Sequence, residues 1–141
     1  MSDLPHILLI EDNHDDCEAT IRSLKKNHFI NPIQWCKNGQ EALNYLQNKN
    51  NQRPDLILLD LNMPGIDGRQ VLQIIKTDTA LKSIPVVILT TSADSKDVEQ
   101  CYSIGASTYI QKPVNFQSLT EAIHTVKDYW FGVAILPGQE R

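Results

Sequence analysis

The chain is 141 residues long, enough to bury a core without staples, and that length fits one domain. Its formal net charge of −4 offers no basic footprint for nucleic acid. No apolar run approaches the ~20 residues that cross a bilayer, so no membrane association is expected, and the short polar start Met1-Ser2-Asp3-Leu4-Pro5-His6 does not read as a signal peptide.

Apolar runs of four or five residues alternate with longer stretches of helical period, the pattern of βαβ units in a parallel α/β sheet. The first strand is expected from about His6 to Ile10. A helix follows from about Asp15 to His28, capped by Asn13, with Cys17, Ile21 and Leu24 on one face. After the breaker Asn31-Pro32, a second strand spans about Ile33 to Cys36. Trp35 on it has no position at a strand end and reads as a packing residue. Asn38-Gly39 turns into a second helix that ends near Gln47, and Asn48 to Pro54 is a solvated loop. The third strand, Leu56 to Asp60, is apolar until its last residue, as a central parallel strand covered on both faces should be.

The third helix, about Gly68 to Lys76, turns Val71, Leu72 and Ile75 inward. Val86 to Thr90 forms the fourth strand. The fourth helix, about Lys96 to Ile104, stops at Gly105. A fifth strand, about Thr108 to Gln111, and a fifth helix, about Phe116 to Trp130, complete the alternation over residues 1–130. Residues 131–141 form a C-terminal extension, whose apolar part Phe131 to Pro137 is expected to be extended. Cys17, Cys36 and Cys101 are odd in number and widely spaced, which fits neither a disulfide framework nor a zinc site. They are expected as free thiols in a reducing cytoplasm, Cys17 and Cys101 packed as small hydrophobes on buried helix faces.

Four of these strands end in chemically useful residues. Ile7-Leu8-Leu9-Ile10 runs into Glu11-Asp12, Leu56 to Leu59 into Asp60, the fourth strand into Thr90, and the fifth into Lys112-Pro113. In a parallel sheet those ends share one rim, where ligands bind. Three crowded carboxylates repel one another and call for a counter-charge. Magnesium, held by one or two carboxylates with waters and a phosphate oxygen, suits Glu11, Asp12 and Asp60, with a further oxygen from the turn at Asn62. His14 is expected at the surface, because imidazole suits softer metals. With charge so neutralised, Asp60 is a candidate nucleophile towards phosphorus. Lys112 and the Thr90 hydroxyl are placed to meet phosphoryl oxygens.

The segments Ile10-Glu11-Asp12-Asn13, Leu59-Asp60-Leu61-Asn62-Met63-Pro64-Gly65, Leu89-Thr90-Thr91 and Lys112-Pro113 resemble, in order and separation, the receiver domain of two-component response regulators. The resemblance covers about residues 5–128. It implies a doubly wound, flavodoxin-like fold with strand order 2-1-3-4-5 and five flanking helices. It also implies that a sensor histidine kinase phosphorylates Asp60, that Asp12 and Asp60 ligate magnesium directly, and that Glu11 acts through water and Asn62 through its carbonyl. The resemblance further implies that Thr90 and Tyr109 take the switch positions and that the Lys112-Pro113 peptide is cis, as is usual in the family. Glu11 stands where the family more often has aspartate, and Thr91 where a smaller residue is frequent.

The stretches Ile74 to Pro85 and Asp128-Tyr129-Trp130-Phe131 further resemble single-domain regulators that partner phytochrome kinases and often dimerise. A homodimer is therefore expected, with Trp130, Phe131, Val133, Ile135 and Leu136 in its interface. Two other readings compete. A haloacid-dehalogenase-like phosphatase needs a second aspartate two residues after the first, where Asn62 stands. A pseudo-receiver would bind partners without phosphorylation, which the intact Asp60, Thr90 and Lys112 argue against.

Overall fold

The computed structural model describes residues 4–138. Five strands alternate with five helices: β1 (Ile7–Ile10), α1 (His14–Lys26), β2 (Ile33–Cys36), α2 (Gly39–Gln47), β3 (Leu56–Leu59), α3 (Gly68–Thr77), β4 (Val86–Thr90), α4 (Ser95–Ile104), β5 (Thr108–Gln111) and α5 (Phe116–Asp128). The strands form one parallel sheet in the order β2-β1-β3-β4-β5. This is the order the resemblance implies. Winding reverses between β1 and β3, which lie side by side with Ile10 opposite Leu59. The residues that follow them, Glu11 and Asp60, therefore emerge together.

The central strands are apolar on both faces because both faces are covered. Leu8, Ile10, Ile57, Leu59, Val86 and Ile88 point into the core shared with α2, α3 and α4. Their neighbours Ile7, Leu9, Leu56, Leu58, Val87 and Leu89 point into the core shared with α1 and α5. The alternation follows from the two-residue period of a strand. All three cysteines are free and buried, Cys17 and Cys101 as expected and Cys36 at the end of β2 as well.

Each helix begins with a side-chain cap: Asn13, Asn38, Asp67, Asp94 and Asn115 each accept from a backbone N–H of the first turn. Asp67 and Gln70 complete a reciprocal capping box. Helix α1 stops two residues before the expected His28. Asn27 caps it, His28 enters the left-handed region with φ 63°, and the Phe29 N–H returns to the Leu24 carbonyl at 3.0 Å. Polar contacts join α1 to α5. The Ser23 and Thr120 hydroxyls lie 3.3 Å apart, and the Asn27 amide donates to the Thr120 carbonyl at 3.0 Å.

The C-terminal extension departs from the expected extended arm. The helical path continues through a π-helical turn, Tyr129–Val133, closed by the Ala134 N–H on the Tyr129 carbonyl at 2.7 Å. The Phe131 ring packs on Phe29 with centroids 5.1 Å apart, and Leu136 is buried. Trp130 and Phe131 also lean on the α1–α5 core. Burial against the chain's own domain removes these groups from water with no second subunit. Val133 and Ile135 stay exposed.

Gly68 opens α3 directly under the end of β3. A Cβ there would collide with the Asp60 carbonyl oxygen and come within 2.6 Å of the Leu61 Cα, both backbone atoms that cannot swing away. Gly68→Ala is expected to destabilise the fold by about 1–3 kcal/mol, the usual cost of overpacking, as a lowered midpoint in urea unfolding. An unchanged midpoint would show that the helix start can slide away from Asp60.

Candidate functional site

The adjacency of β1 and β3 brings Glu11, Asp12 and Asp60 together, with carboxylate oxygens all within 4.8 Å of one another. Backbone bonds hold the bases of the two buried acids: Glu11 N–H to the Cys36 carbonyl at 3.1 Å, and Asp60 N–H to the Ile10 carbonyl at 3.0 Å. Asp12 is exposed, whereas Glu11 and Asp60 are buried. Asn62 is exposed, and its backbone N–H donates to Asp60 Oδ1 at 3.4 Å. Hard oxygen donors this close, two of them shielded from water, fit a small divalent cation better than a transition metal that prefers nitrogen or sulfur.

Lys112 arrives from the end of β5, where its N–H donates to the Thr90 carbonyl at 2.6 Å. Its buried ammonium donates to Glu11 Oε1 at 2.6 Å and to Asp16 Oδ2 at 3.1 Å. Burial opposes the charge on Lys112, but the hydrogen bond and charge of Glu11, then Asp60 and Asp16, outweigh it and raise the affinity for its proton. Burial likewise pushes the Glu11 carboxyl up to about 7, with Asp60 adding repulsion and Lys112 pulling the other way. Glu11 Oε2 accepts from the Asn13 N–H at 3.2 Å. Thr90 is fully buried, and its hydroxyl has no hydrogen-bond partner among the described residues. Such an orphaned donor at a site of charge is an observation that needs a ligand or a role.

Two contacts here were not anticipated. The Trp35 indole N–H donates to the Glu11 carbonyl at 2.8 Å, so this tryptophan supports the acidic loop as well as packing. The His14 ring meets it edge-on with centroids 5.5 Å apart and is exposed, as expected. Asp16, the second partner of Lys112, is the other. Its place in the first turn of a helix that starts just after Glu11-Asp12 was a visible hint. The partner, 96 residues away, was not.

Tyr109 is partly buried, and its hydroxyl donates to the Ser92 carbonyl at 2.9 Å. The Ser92 hydroxyl donates to Asp97 Oδ2 at 2.7 Å, and Arg69 grips Asp97 Oδ1 at 2.6 Å. Ser92 and Arg69 together hold the Asp97 carboxyl below its ordinary range. The loop after Thr90 is thus tied to α3, α4 and β5. No cis peptide bond occurs among the described residues, so Lys112-Pro113 is trans rather than cis as the resemblance implied.

A buried carboxylate with acids, a lysine and a threonine at four strand ends of a 2-1-3-4-5 sheet defines a receiver. The model of the response regulator receiver domain family matches residues 7–124, and the chain belongs to that family. The response regulator Rcp1 of Synechocystis sp. is 37% identical over 135 residues, covering 93% of this chain and 92% of that protein. A probable methanogenesis regulatory protein of Methanothrix harundinacea, FilR2, is 37% identical over 135 residues, covering 94% and 87%. The crystal structure of the phosphorylated cyanobacterial phytochrome response regulator RcpA aligns with a TM-score of 0.89 at 37% identity, covering 94% of this chain and 98% of that one. The Mn2+-bound form of Rcp1 aligns at 0.85 and 36%, covering 95% and 99%. Membership in a family of signalling receivers removes the phosphatase reading.

Removing Lys112 strips the Glu11 carboxyl of the group that holds it down, so its folded-state affinity for a proton rises beyond about 7. The folded protein then keeps a proton that the unfolded chain releases near its ordinary value of 4.5. Stability of the variant falls as pH rises through that window and on to the new folded value. Lys112→Ala is expected to lose progressively more stability relative to wild type between pH 6 and pH 9. The gap should reach about 3 kcal/mol, the low end of the cost of unpairing a buried charge. A pH-independent gap in urea titrations would mean that Glu11 is not the partner at stake.

Proposed function

We propose that Asp60 is the phosphoacceptor of this receiver and that a histidine kinase supplies the phosphoryl group. A carboxylate oxygen of Asp60 attacks phosphorus, the new bond is an acyl phosphate, and the phosphorus–nitrogen bond to the kinase histidine breaks with its electron pair on that nitrogen. The observation that carries the reading is the fully buried, unpartnered Thr90 hydroxyl accompanied by a charged Lys112 at the neighbouring strand end. Both groups match what phosphoryl transfer asks of a protein, positioning and charge neutralisation. A pseudo-receiver has no use for either.

Glu11, Asp12 and Asp60, with the Asn62 carbonyl, are the residues that would hold magnesium. The close approach of three hard carboxylates supports this set. Bound there, magnesium supplies the positive charge that lets anionic phosphate approach anionic carboxylate. Asp60 provides the attacking oxygen, and Lys112 and Thr90 meet the transferred oxygens. Thr90 leads directly into the loop that carries Ser92, whose carbonyl holds the Tyr109 hydroxyl. A Thr90 hydroxyl turned towards the phosphoryl group shifts that loop, releases Tyr109 and lets its ring turn inward.

Among the described residues no helix is long and apolar enough to cross a membrane. The phytochrome connection of RcpA, in both sequence and fold, supports a phytochrome-type kinase as the source of phosphate. Asp60→Asn is expected to abolish the mass increase on treatment with acetyl phosphate and magnesium. Asp12→Ala should weaken magnesium binding at least tenfold in a fluorescence titration. Full labelling of the first variant, or unchanged affinity in the second, would overturn the corresponding role.

The same reading includes a homodimer. Exposed Tyr129, Val133 and Ile135 support it, and Tyr129 lines an apolar groove of about 380 Å³ with Ile110, Ala122, Val126 and Trp130. Trp130, Phe131 and Leu136 back the interface from within the domain rather than crossing to a partner. The double variant Val133→Glu, Ile135→Glu changes only exposed side chains and is expected to be monomeric by light scattering at tens of micromolar, where wild type is dimeric. A wild-type monomer, with or without beryllofluoride, excludes the dimer.

A further inference from the structure

We propose that Asp16 is a positioning residue that holds Lys112 in the resting state and gives it up when Asp60 is phosphorylated. The inference rests on the reading of Asp60 as phosphoacceptor. The Lys112 ammonium carries three protons and lies beside three acids, Glu11, Asp16 and Asp60. It is hydrogen-bonded to the first two, at 2.6 Å and 3.1 Å, and feels Asp60 through its charge.

The two bonded acids differ in their freedom. The Glu11 side chain is 3% exposed and is fixed a second time by the Asn13 N–H, so it has nowhere to turn. The Asp16 side chain is 40% exposed, beside a small cleft of about 140 Å³ between α1 and the loop that follows Lys112. A carboxylate so placed exchanges its lysine for water at little cost. A phosphoryl group on Asp60 adds about −1.5 to −2 charges within reach of Lys112. Asp16 is then the partner that yields. An interaction made in one state and lost in the other biases the equilibrium against the state that lacks it. Asp16 therefore opposes activation, and its removal favours the phosphorylated form.

The test uses the full chain and beryllofluoride as the phosphoryl mimic, read by tryptophan fluorescence at saturating magnesium. Asp16→Asn and Asp16→Ala are expected to bind beryllofluoride about two- to fivefold more tightly than wild type, the span that a half-exposed ion pair provides. Asp16→Glu should restore wild-type affinity. Asp15→Asn removes the same charge from the same exposed first turn without a bond to Lys112, and should leave the affinity unchanged. Magnesium affinity should stay within twofold in every variant, and urea unfolding reports any general loss of structure, which would not tighten binding. Unchanged or weaker beryllofluoride binding in both Asp16→Asn and Asp16→Ala, or equal tightening in Asp15→Asn, overturns the role. A wild-type protein that ignores beryllofluoride takes down the phosphoacceptor reading and this inference with it.

Discussion

Everything at the rim follows from two parallel strands ending side by side. The register that sets Ile10 opposite Leu59 leaves the chain no choice about where Glu11 and Asp60 emerge. Two buried carboxylates with Asp12 beside them cannot all stay ionised without a positive charge in their midst. Within the protein that charge is Lys112, and its position is fixed in turn by the pairing of β5 with β4. The sheet's topology thus dictates an electrostatic problem and supplies part of the answer. A buried pair of this kind is poor as a stabiliser, because both ions surrender their hydration. Its place in the molecule makes sense through chemistry: a strained balance of charge responds strongly to one added group.

The parts around that balance divide into fixed and movable. The hydrophobic layers on both sides of the sheet are continuous and close-packed, so the strands form the fixed frame. The connections are held by individual polar bonds, which break one at a time. The loop after Thr90 depends on Ser92, Asp97, Arg69 and Tyr109, all of them only partly buried. A small movement at Thr90 has few bonds to exchange before it reaches α4 and β5.

Much of this was legible in the residues, and the limits are physical. Leu56 to Leu59 could only be a doubly covered strand, and Asn13 could be seen as a helix cap, because both depend on neighbours in sequence. Strand order came from resemblance to a family, since periodicity says what is buried but not beside what. The end of α1 was misplaced because His28 adopts a left-handed conformation that glycine or asparagine usually signals. Trp35 and Asp16 were passed over for one reason: each acts through an atom contributed by a different strand end, Glu11 in one case and Lys112 in the other. The tail was correctly marked as apolar, yet apolar character alone could not say that Phe29 would receive Phe131.

The contact between α1 and α5 joins the first helix to the last. Until α5 is made, the core that holds Cys17 and Leu24 lacks Leu119, Ile123 and Val126, and the Ser23 and Asn27 side chains lack their partners on Thr120. β3, the central strand, pairs with β1 on the side opposite β2. On a ribosome, which releases a chain from its N-terminus at ~5–20 residues per second, the emerging segment would spend seconds with this core incomplete. Because α1 and α5 share one core, that core cannot be completed before Phe116–Asp128 has been made.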